Sequence, residues 1–561
     1  MKNLTIFLSV ILLVSCSDSS KAESIYYNGT IITMNNAMPI AQAIAVTKGK
    51  ILAVGSLDEI YNYTNKRTKF VDLSNKTLLP GFIDPHSHIF GISMQSVAAN
   101  LYPAPDGVVN SINDLLLELK KYYETNPDLY KEIGFVVGFG YDNSQLKEQR
   151  HPTKFDLDKY FPDIPIYIMH QSGHIGVANS KALEFLAIDS NTVDPVGGVI
   201  QRVMNTQEPN GVLDENAHID SFYKIAKFSP IFAAKMFLNG VDIMKSLGYT
   251  TVQEGRSSED QILIMKLLGF LRLLPIDIVA YPDIFKAPKA VMTASKKYKG
   301  RFRVGGMKIS LDGSPQGKTA WRDRPYVIPP HGHDANYVGY PSVERELVFE
   351  KIEMAYASNI QVLGHANGEA AIDLFIDAVA NADKKYGNKD QRPVLIHGQF
   401  TRKDQINKIK NLGIFPSLFP LHTYYWGDWH REQTIGKPRY NDISPTKWFE
   451  DAGIMFTSHH DAPIAVPNNM RVLWATVNRI SRTCKQIGPE QRVSVMTALK
   501  SLTLWSAYQH FEENTKGSLE VGKLADIIIL SDNPLTINSM KINDIQIIST
   551  IKNGKVIFYK K

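Results

Sequence analysis

His86 and His88 are separated by a single residue and end the apolar segment Pro-Gly-Phe-Ile-Asp-Pro-His-Ser-His. In a β-strand, residues two positions apart project from the same face, so both imidazoles reach one point in space. Neutral imidazole is the commonest protein ligand for zinc and related divalent metals. The pair therefore indicates a metal site, although a surface strand can also carry two histidines without any function.

Three further side chains that bind metals stand at the ends of β-type segments. His365 ends Ile-Gln-Val-Leu-Gly-His, His397 ends Pro-Val-Leu-Ile-His, and Asp461 ends Gly-Ile-Met-Phe-Thr-Ser-His-His-Asp. Taken singly, each histidine is explained as an ordinary core or loop residue. Their recurrence at strand ends favours one shared metal centre. His460 should point away from Asp461 and is not counted as a ligand.

Helical patterns separate these segments, and strand followed by helix, repeated, is typical of a parallel sheet with crossover helices. When polar residues recur at the C-terminal ends of such strands, a closed (β/α)₈ barrel is expected, because its active site lies at that face. The expected fold class is therefore α/β. Strands are predicted at 82–88, 249–254, 274–281, 303–312, 360–365, 393–397, 414–419 and 454–461, and helices at 367–385, 402–412 and 445–452.

The chain, at 561 residues, is longer than one barrel needs. The predicted first and second strands are separated by far more chain than a crossover helix requires, which indicates an insertion at about 100–215. It should lie on the side where loops build the active site. Residues 24–79 and 515–561 hold short β-type runs with turn signals between them, which leaves 80–514 for the barrel and its insertion.

Three segments, in this order and spacing, give the chain a family resemblance. They are Leu-Pro-Gly-Phe-Ile-Asp-Pro-His-Ser-His at 79–88, Met-Lys-Ile-Ser-Leu-Asp-Gly-Ser-Pro-Gln-Gly-Lys-Thr-Ala-Trp at 307–321, and Gly-Ser-Leu-Glu-Val-Gly-Lys-Leu-Ala-Asp-Ile-Ile-Ile-Leu at 517–530. The chain resembles the amidohydrolase superfamily and, within it, the YtcJ-like or amidohydrolase-3 branch that includes N-substituted formamide deformylases. The resemblance implies that the two chain ends pair into a small β-sandwich and that the insertion covers the metal pocket as a lid.

Lys308 lies in the predicted strand 303–312, where alternation places it on one face with Ser310 and Asp312. Burial in a barrel lowers the pKa of a lysine toward the neutral amine, which can react with carbon dioxide to give a carbamate. Superfamily members with a lysine at this strand use such a carbamate to bridge two metals, so the resemblance implies a carboxylated Lys308. An ion pair between Lys308 and Asp312 is the alternative.

The resemblance also implies a ligand set and a reaction. The implied ligands of one or two divalent ions, with zinc expected, are His86, His88, Lys308, His365, His397 and Asp461. Asp461 is also the expected general base and acid, and a helix N-cap before Pro463 is the alternative. The expected reaction is hydrolysis of a non-peptide carbon–nitrogen bond, amide or formamide, in a small molecule. An isomerase, lyase or lactonase on the same site is an alternative, and a catalytically inactive, lipid-anchored binding protein is a weaker one.

Five further side chains are candidate substrate contacts. Tyr141 and His174 belong to the insertion, Asp312 and Arg322 to the segment around the fourth predicted strand, and His422 to the segment after the seventh. For the two residues of the insertion, the alternative is a purely structural role, because a lid must also fold.

The N-terminus has the composition of an export signal. Residue 2 is a lysine, residues 4–14 are apolar but too few to span a bilayer, and Leu-Val-Ser-Cys, ending at Cys16, resembles a bacterial lipobox. We expect a lipoprotein-type signal peptide at 1–15, lipidation of Cys16, a polar tether at 16–23, and an exported protein held at a bacterial membrane surface. An ordinary secretory signal is the alternative.

The charge and the cysteine content limit the kinds of partner that we expect for the protein. The formal net charge of +6 is mild, and the basic run at 296–303 lacks any recognised nucleic-acid motif, so nucleic-acid binding is not expected. Cys484 is the single cysteine outside the signal region, which excludes a disulfide framework. A small-molecule substrate is the expected partner, and a homodimer is left open.

Overall fold

The structure is a computed structural model that describes residues 21–226, 228–330, 332–387 and 389–560. The expected signal peptide at 1–15 and the lipidation site Cys16 lie outside the described residues. Within the described ranges, no helix combines the length and the apolar character needed to cross a membrane.

Two parallel sheets form the centre of the molecule, so the fold class is α/β. In spatial order, the first contains Phe82–Ile83, Tyr249–Ser257, Asp277–Pro282 and Phe302–Val304, and the second contains Gly306–Ser310, Gln361–Ala366, Val394–His397, Phe415–Leu418 and Thr457–Ser458. Gly305 separates the two sheets, so the predicted strand 303–312 contributes to both. A parallel bridge between Asp283 and Lys308 joins them.

The first strand of the central sheets is much shorter than the predicted strand 82–88. It ends at Ile83, so His86 and His88 lie in the turn that follows and not on a strand face. Pro85 has no amide hydrogen to donate to a ladder. The Asp84 carboxylate accepts hydrogen bonds from the backbone N–H groups of His86 and Gln253 instead, both at 3.1 Å, and this bends the chain.

The crossover helices cover the sheets with their apolar faces. Glu369–Tyr386 shows why they form: Ile372, Phe375, Ile376 and Val379 recur at helical spacing and are buried. Glu369 stands in the first turn and two lysines in the last, which suits the helix dipole. This helix, Lys403–Asn411 and Thr446–Asp451 match the predicted helices 367–385, 402–412 and 445–452 within about two residues at each end.

The α-helices are Leu57–Tyr61, Ile89–Gln95, Ile112–Thr125, Pro127–Ile133, Lys154–Asp158, Ser180–Leu186, Asn216–Ile225, Pro230–Ser246, Glu259–Phe270, Pro288–Val291, Arg345–Ala357, Glu369–Tyr386, Lys403–Asn411, Leu421–Trp429, Thr446–Asp451, Asn469–Asn478, Val495–Ser501 and Leu504–Gln509. A π-helical turn follows at His430–Thr434, and 3₁₀ turns are at Arg439–Asp442, Pro489–Gln491 and Ser539–Asp544.

The segment predicted as an insertion folds around a sheet of its own. Its strands, in spatial order, are Gly198–Arg202, Pro209–Glu215, Ile175–Ala178, Ile166–His170, Val136–Tyr141 and Ala99–Asn100. Leu115, Val136, Ile168 and Val212 belong to an apolar cluster that is separate from the main core. This segment therefore has a core of its own.

The two ends of the described chain meet in one six-stranded sheet. Its strands are Lys555–Tyr559, Ile547–Lys552, Ile527–Leu530, Thr77–Pro80, Thr30–Ile32 and Ile40–Ala41. A four-stranded sheet contains Lys50–Gly55, Ala43–Thr47, Ser24–Tyr27 and Lys69–Asp72. Apolar side chains of both sheets, such as Ile44 and Ile527, pack in one shared cluster.

Candidate metal centre

Three histidines converge on the carboxylate of Asp461. The Nε2 atoms of His86 and His88 lie 3.4 and 3.3 Å from Asp461 Oδ1, and His397 Nε2 lies 3.8 Å from Oδ2. Ligand atoms of His86, His397 and Asp461 all lie within 4.8 Å of one another, and the three residues are buried. The turn after Ile83 and the ends of two distant strands thus bring four metal-binding side chains to one point.

Gln253 fixes the orientation of His86. The Gln253 amide donates from Nε2 to the Pro85 carbonyl at 2.6 Å, so its Oε1 is the atom that faces His86 Nδ1, at 2.7 Å. A carboxamide oxygen only accepts, so Nδ1 must carry the hydrogen and Nε2 keeps its lone pair. That lone pair is the one directed toward Asp461. Gln253 therefore holds His86 in the tautomer in which Nε2 could bind a metal, as hydrogen-bond partners of ligating histidines usually do.

The polar atoms around Asp461 fit a cation. Asp461 Oδ1 is buried and has no hydrogen-bond donor among the described residues. The nearby His86 Nε2 offers a second lone pair, and two lone pairs facing each other are stabilised by a positive charge between them. Burial lowers the pKa of His86, of His365 and of His397 well below the usual histidine range, which keeps them neutral. Neutral imidazoles around a carboxylate are a donor set suited to zinc.

His397 is hydrogen-bonded to a second histidine, His459, which was not among the predicted site residues. His397 Nδ1 lies 3.0 Å from His459 Nε2, and His459 Nδ1 lies 2.9 Å from Ser417 Oγ. If His397 binds a metal through Nε2, its Nδ1 donates to His459, and His459 then donates to Ser417. The signal was present in the sequence, since His459 stands two residues before Asp461 and strand alternation gives both the same face.

Lys308 lies next to His86 and not next to Asp312. Its Nζ is 3.1 Å from His86 Nε2, and its side chain is 1 % exposed. Burial lowers the pKa of Lys308 to about 7 against the opposing effect of Asp461. The alternative ion pair with Asp312 does not form, because the Asp312 carboxylate accepts instead from the backbone N–H groups of Trp321, Asn367 and Gly368.

His365 lies at the edge of the cluster. Its ring centroid is 4.6 Å from that of His397. Its Nε2 is 3.0 Å from Asn367 Nδ2 and 3.5 Å from Asp312 Oδ1. Because these neighbours contact Nε2, Nδ1 is the atom of His365 that remains to bind a metal in this arrangement. Asp312 thus lies beside His365, and its three backbone hydrogen bonds give it a structural position.

His88 is shared between two carboxylates. Its Nδ1 lies 3.7 Å from Glu254 Oε1, on the side opposite Asp461. Burial lowers the pKa of His88, but the Asp461 and Glu254 carboxylates outweigh this effect and raise it to about 9. A bound metal would replace that proton, because a ligating histidine is neutral.

Two of the convergent residues have strained backbones. His397 and Asp461 both adopt the left-handed region, with φ of 72° and 53°. For residues other than glycine this conformation costs on the order of 1–3 kcal/mol and is concentrated at functional sites. The strain turns both side chains from their strands toward the shared point.

His174 comes to the same pocket from the insertion. Its Nδ1 is 2.7 Å from Glu215 Oε2, and its ring centroid is 5.6 Å from that of His365. Burial lowers the pKa of His174, but Glu215 outweighs this effect and raises it overall. Glu215 also has a left-handed backbone, with φ of 49°. The described contacts of His174 leave its Nε2 available to a substrate.

Three other predicted substrate contacts are buried and have polar partners within the protein. Tyr141 is fully buried in the insertion, with its hydroxyl 3.0 Å from His151 Nδ1. Arg322 is not at the surface: its guanidinium lies in a buried ion pair with Glu369 and donates to two backbone carbonyls. His422 is a buried residue whose Nδ1 is 2.9 Å from His430 Nε2. No described hydrogen bond or ion pair joins these three side chains to Asp461, and their role as substrate contacts stays a prediction.

The chain is similar to known proteins over most of its length. A model described as "Amidohydrolase family", the amidohydrolase-3 group, matches residues 69–558. N-substituted formamide deformylase from Arthrobacter pascens is 25% identical over 542 residues, which cover 94% of this chain and 96% of that protein. Putative amidohydrolase YtcJ from Bacillus subtilis (strain 168) is 25% identical over 558 residues, covering 96% and 100%.

A solved structure has the same fold. An uncharacterized metal-dependent hydrolase from Pyrococcus horikoshii OT3 superposes with a TM-score of 0.73 at 23% identity, covering 92% of this chain and 99% of that one. Because the family model spans most of the sequence, the assignment does not depend on any single relative. The chain belongs to the amidohydrolase family, in its amidohydrolase-3, YtcJ-like branch.

Proposed function

We propose that the protein is a metal-dependent hydrolase that cleaves an amide or formamide bond of a small molecule with water. One observation carries the proposal: the Nε2 atoms of three histidines surround the Asp461 carboxylate, whose buried Oδ1 has no hydrogen-bond donor among the described residues. The formamide deformylase among the relatives supports a carbon–nitrogen bond as the target.

The proposed ligands are divided between two ions, with zinc as the expected metal. His86, His88 and Asp461 would hold the first, His365 and His397 would hold the second, and a carboxylated Lys308 would serve as a further ligand. A pKa of about 7 for Lys308 supports carbamate formation, because the amine that reacts with carbon dioxide must be neutral. A bound divalent metal supplies a water nucleophile near neutral pH and polarises the scissile carbonyl.

The chain's own residues then move the proton and hold the substrate. The carboxylate of Asp461 takes the proton released by the attacking water and returns it to the leaving nitrogen, so that amide and water become acid and amine. His174 Nε2 donates a hydrogen bond to the bound substrate, and Glu215 keeps the imidazole in place. The Gln253–His86 and His459–His397 hydrogen bonds keep the two imidazole lone pairs directed inward.

We further propose that the two parallel sheets close into a (β/α)₈ barrel with the centre at its C-terminal face. If the strand interrupted at Gly305 is counted once, the two sheets supply eight strands in sequence order. The hydrogen bond from His88 N to Ala462 O, at 2.8 Å, supports closure between the first and last. The shared apolar cluster of the two terminal sheets supports a small β-sandwich beside the barrel.

A substrate panel tests the proposed reaction. Purified protein loaded with zinc is incubated with N-formyl amines, N-acyl amines, hydantoins and lactones, and released amine or acid is quantified. Release of amine from a formyl or acyl amine, abolished in Asp461→Asn, is the expected result. Conversion without any released amine or acid would instead identify an isomerase or lyase. Ring opening of lactones alone would identify a lactonase.

For the cellular location we propose lipidation of Cys16 and attachment to a bacterial membrane. The proposal is supported by the sequence pattern of residues 1–16 only. Expression with a radiolabelled fatty acid should label the wild type and leave Cys16→Ser unlabelled. Export of an unlabelled wild type would indicate an ordinary secretory signal.

A further inference from the structure

Arg256 lies at the C-terminal end of a central strand, the end of the strands at which the candidate metal centre is found. The sequence pattern did not indicate a function for it. It stands at the end of the strand Tyr249–Ser257, just after Gly255. The backbone of Gly255 is packed on His86 so closely that an added Cβ would lie 2.5 Å from the imidazole Cε1. Arg256 therefore directly follows a residue whose backbone packs on one proposed ligand.

The side chain of Arg256 reaches toward a second proposed ligand. Arg256 Nε donates to Asp283 Oδ2 at 2.7 Å. Asp283 is bridged to Lys308, and the next residue along, Ile284, donates from its backbone N–H to the Lys308 carbonyl at 3.0 Å. The guanidinium is thus held by a carboxylate that lies directly beside the backbone of Lys308. Its charge contributes to lowering the pKa of Lys308 and of His365.

One edge of the guanidinium is available. Guanidinium has two edges that can each hold a carboxylate with two parallel hydrogen bonds. Asp283 uses the edge that contains Nε, and within the described ranges no residue accepts a hydrogen bond from Nη1 or Nη2 of Arg256. The side chain is 26 % exposed, so this second edge is accessible from solvent.

The acidic residues nearby already have hydrogen-bond or ion-pair partners within the protein. Glu254 accepts from the backbone N–H of Phe90, at 2.9 Å, and faces His88. Glu215 is paired with His174 at 2.7 Å. The Asp283 carboxylate accepts from two backbone N–H groups besides Arg256. A further anion at the open edge of Arg256 would therefore meet an arginine without meeting an unpaired carboxylate.

We propose that the Nη1–Nη2 edge of Arg256 binds a carboxylate of the substrate, so that the substrate is an N-formyl or N-acyl compound that also carries a carboxylate, such as an N-acyl amino acid. The inference rests on the proposed amide hydrolysis and deepens it. Asp283 acts as a positioning residue, because it fixes the guanidinium and leaves the other edge for the ligand. Lysine cannot replace the arginine fully, because an ammonium has no such edge.

A matched substrate pair tests the proposal. N-formylphenylalanine and N-formylphenethylamine share the scissile bond and the aromatic ring and differ in the carboxylate. With zinc-loaded wild type, we expect the acid to have the larger kcat/KM. Arg256→Gln, which still donates to Asp283, should lower kcat/KM for the acid by about 10- to 100-fold and leave the neutral compound within about threefold. Arg256→Lys should give an intermediate loss.

Lys286→Ala is the matched control, because it removes a positive charge near Asp283 from a side chain that is paired on the surface with Asp220. It should leave both substrates unchanged. Equal losses for both substrates in Arg256→Gln would overturn the proposal and make Arg256 a structural partner of Asp283. A wild type that prefers the neutral compound would overturn it as well.

Calorimetry of product binding separates this proposal from the proposed function. Phenylalanine should bind the zinc-loaded wild type more tightly than phenethylamine, and Arg256→Gln should remove the difference. If no N-formyl compound is hydrolysed while this difference is observed, the hydrolase proposal fails and the carboxylate subsite stands. If N-formyl compounds are hydrolysed and the two products bind equally, the hydrolase proposal stands and the subsite is refuted.

Discussion

Replacing His459 with phenylalanine should weaken metal binding although His459 is not itself a proposed ligand. The imidazole is fully buried and lies 3.0 Å from His397 and 2.9 Å from Ser417. Phenylalanine fills a similar volume but accepts no hydrogen bond, so His397 loses the partner that keeps its hydrogen on Nδ1. Loss of such a partner typically lowers metal affinity by about 10- to 100-fold, which corresponds to about 1.4–2.7 kcal/mol.

Competition with a chelator of known affinity measures the effect on zinc binding. Ser417→Ala provides the graded control, because it removes only the outer hydrogen bond and should change the affinity by less than His459→Phe does. Circular dichroism confirms that both variants are folded. A zinc affinity in His459→Phe within about twofold of wild type would refute the proposed role of the Ser417–His459–His397 chain.

Two further substitutions and a chelation experiment extend these expectations. Gln253→Leu should weaken zinc binding by about 10- to 100-fold, because His86 loses the acceptor that fixes its Nδ1 hydrogen; an affinity equal to wild type in the same competition assay would contradict this. Asp277→Asn should lower the free energy of unfolding by about 1.5–3 kcal/mol in urea titrations. Lys516 and Lys552, both buried, would lose a shared carboxylate at 2.7 and 2.6 Å, although each keeps a second carboxylate partner. Asp242→Asn, at an exposed pair with Lys245, is its control and should change stability by less than about 1 kcal/mol. Burial raises the pKa of Asp277, but the two lysines outweigh this effect and lower it overall. The wild type should therefore keep this stabilisation above the ordinary aspartate pKa and lose it as the pH falls further, whereas Asp277→Asn should show less of this acid dependence. Dialysis against a chelator should abolish hydrolysis, and zinc should restore it; activity that persists in the metal-free protein would exclude a metal-dependent reaction.

Much of the architecture could be predicted from local patterns. The strand–helix alternation and the apolar runs that end at His365 and His397 predict parallel strands with polar C-terminal ends, and the structure has parallel strands there. The long separation between the predicted first and second strands indicated the segment that folds around its own sheet. These features follow from periodicity and spacing, which are properties of neighbouring residues.

The orientation of side chains was harder to predict, because it depends on contacts between distant segments. Strand alternation placed His86 and His88 on one strand, whereas Asp84 and Pro85 turn the chain and Gln253 orients the imidazole. Arg322 was considered as a substrate contact, yet it is buried against Glu369, a residue whose own position is set by another helix. The sequence did not indicate a role for Arg256, because that role depends on Asp283, which follows a different strand.

The metal content of the purified mature protein, measured for the wild type and for Lys308→Ala, tests the central claim most directly. Two equivalents of metal per chain, falling to one or fewer in the variant, is the result expected for a centre that includes a carboxylated Lys308. One equivalent in both proteins would contradict the proposed two-metal site and make Lys308 a structural residue. A wild type that binds no divalent metal at all would contradict the proposed hydrolytic mechanism.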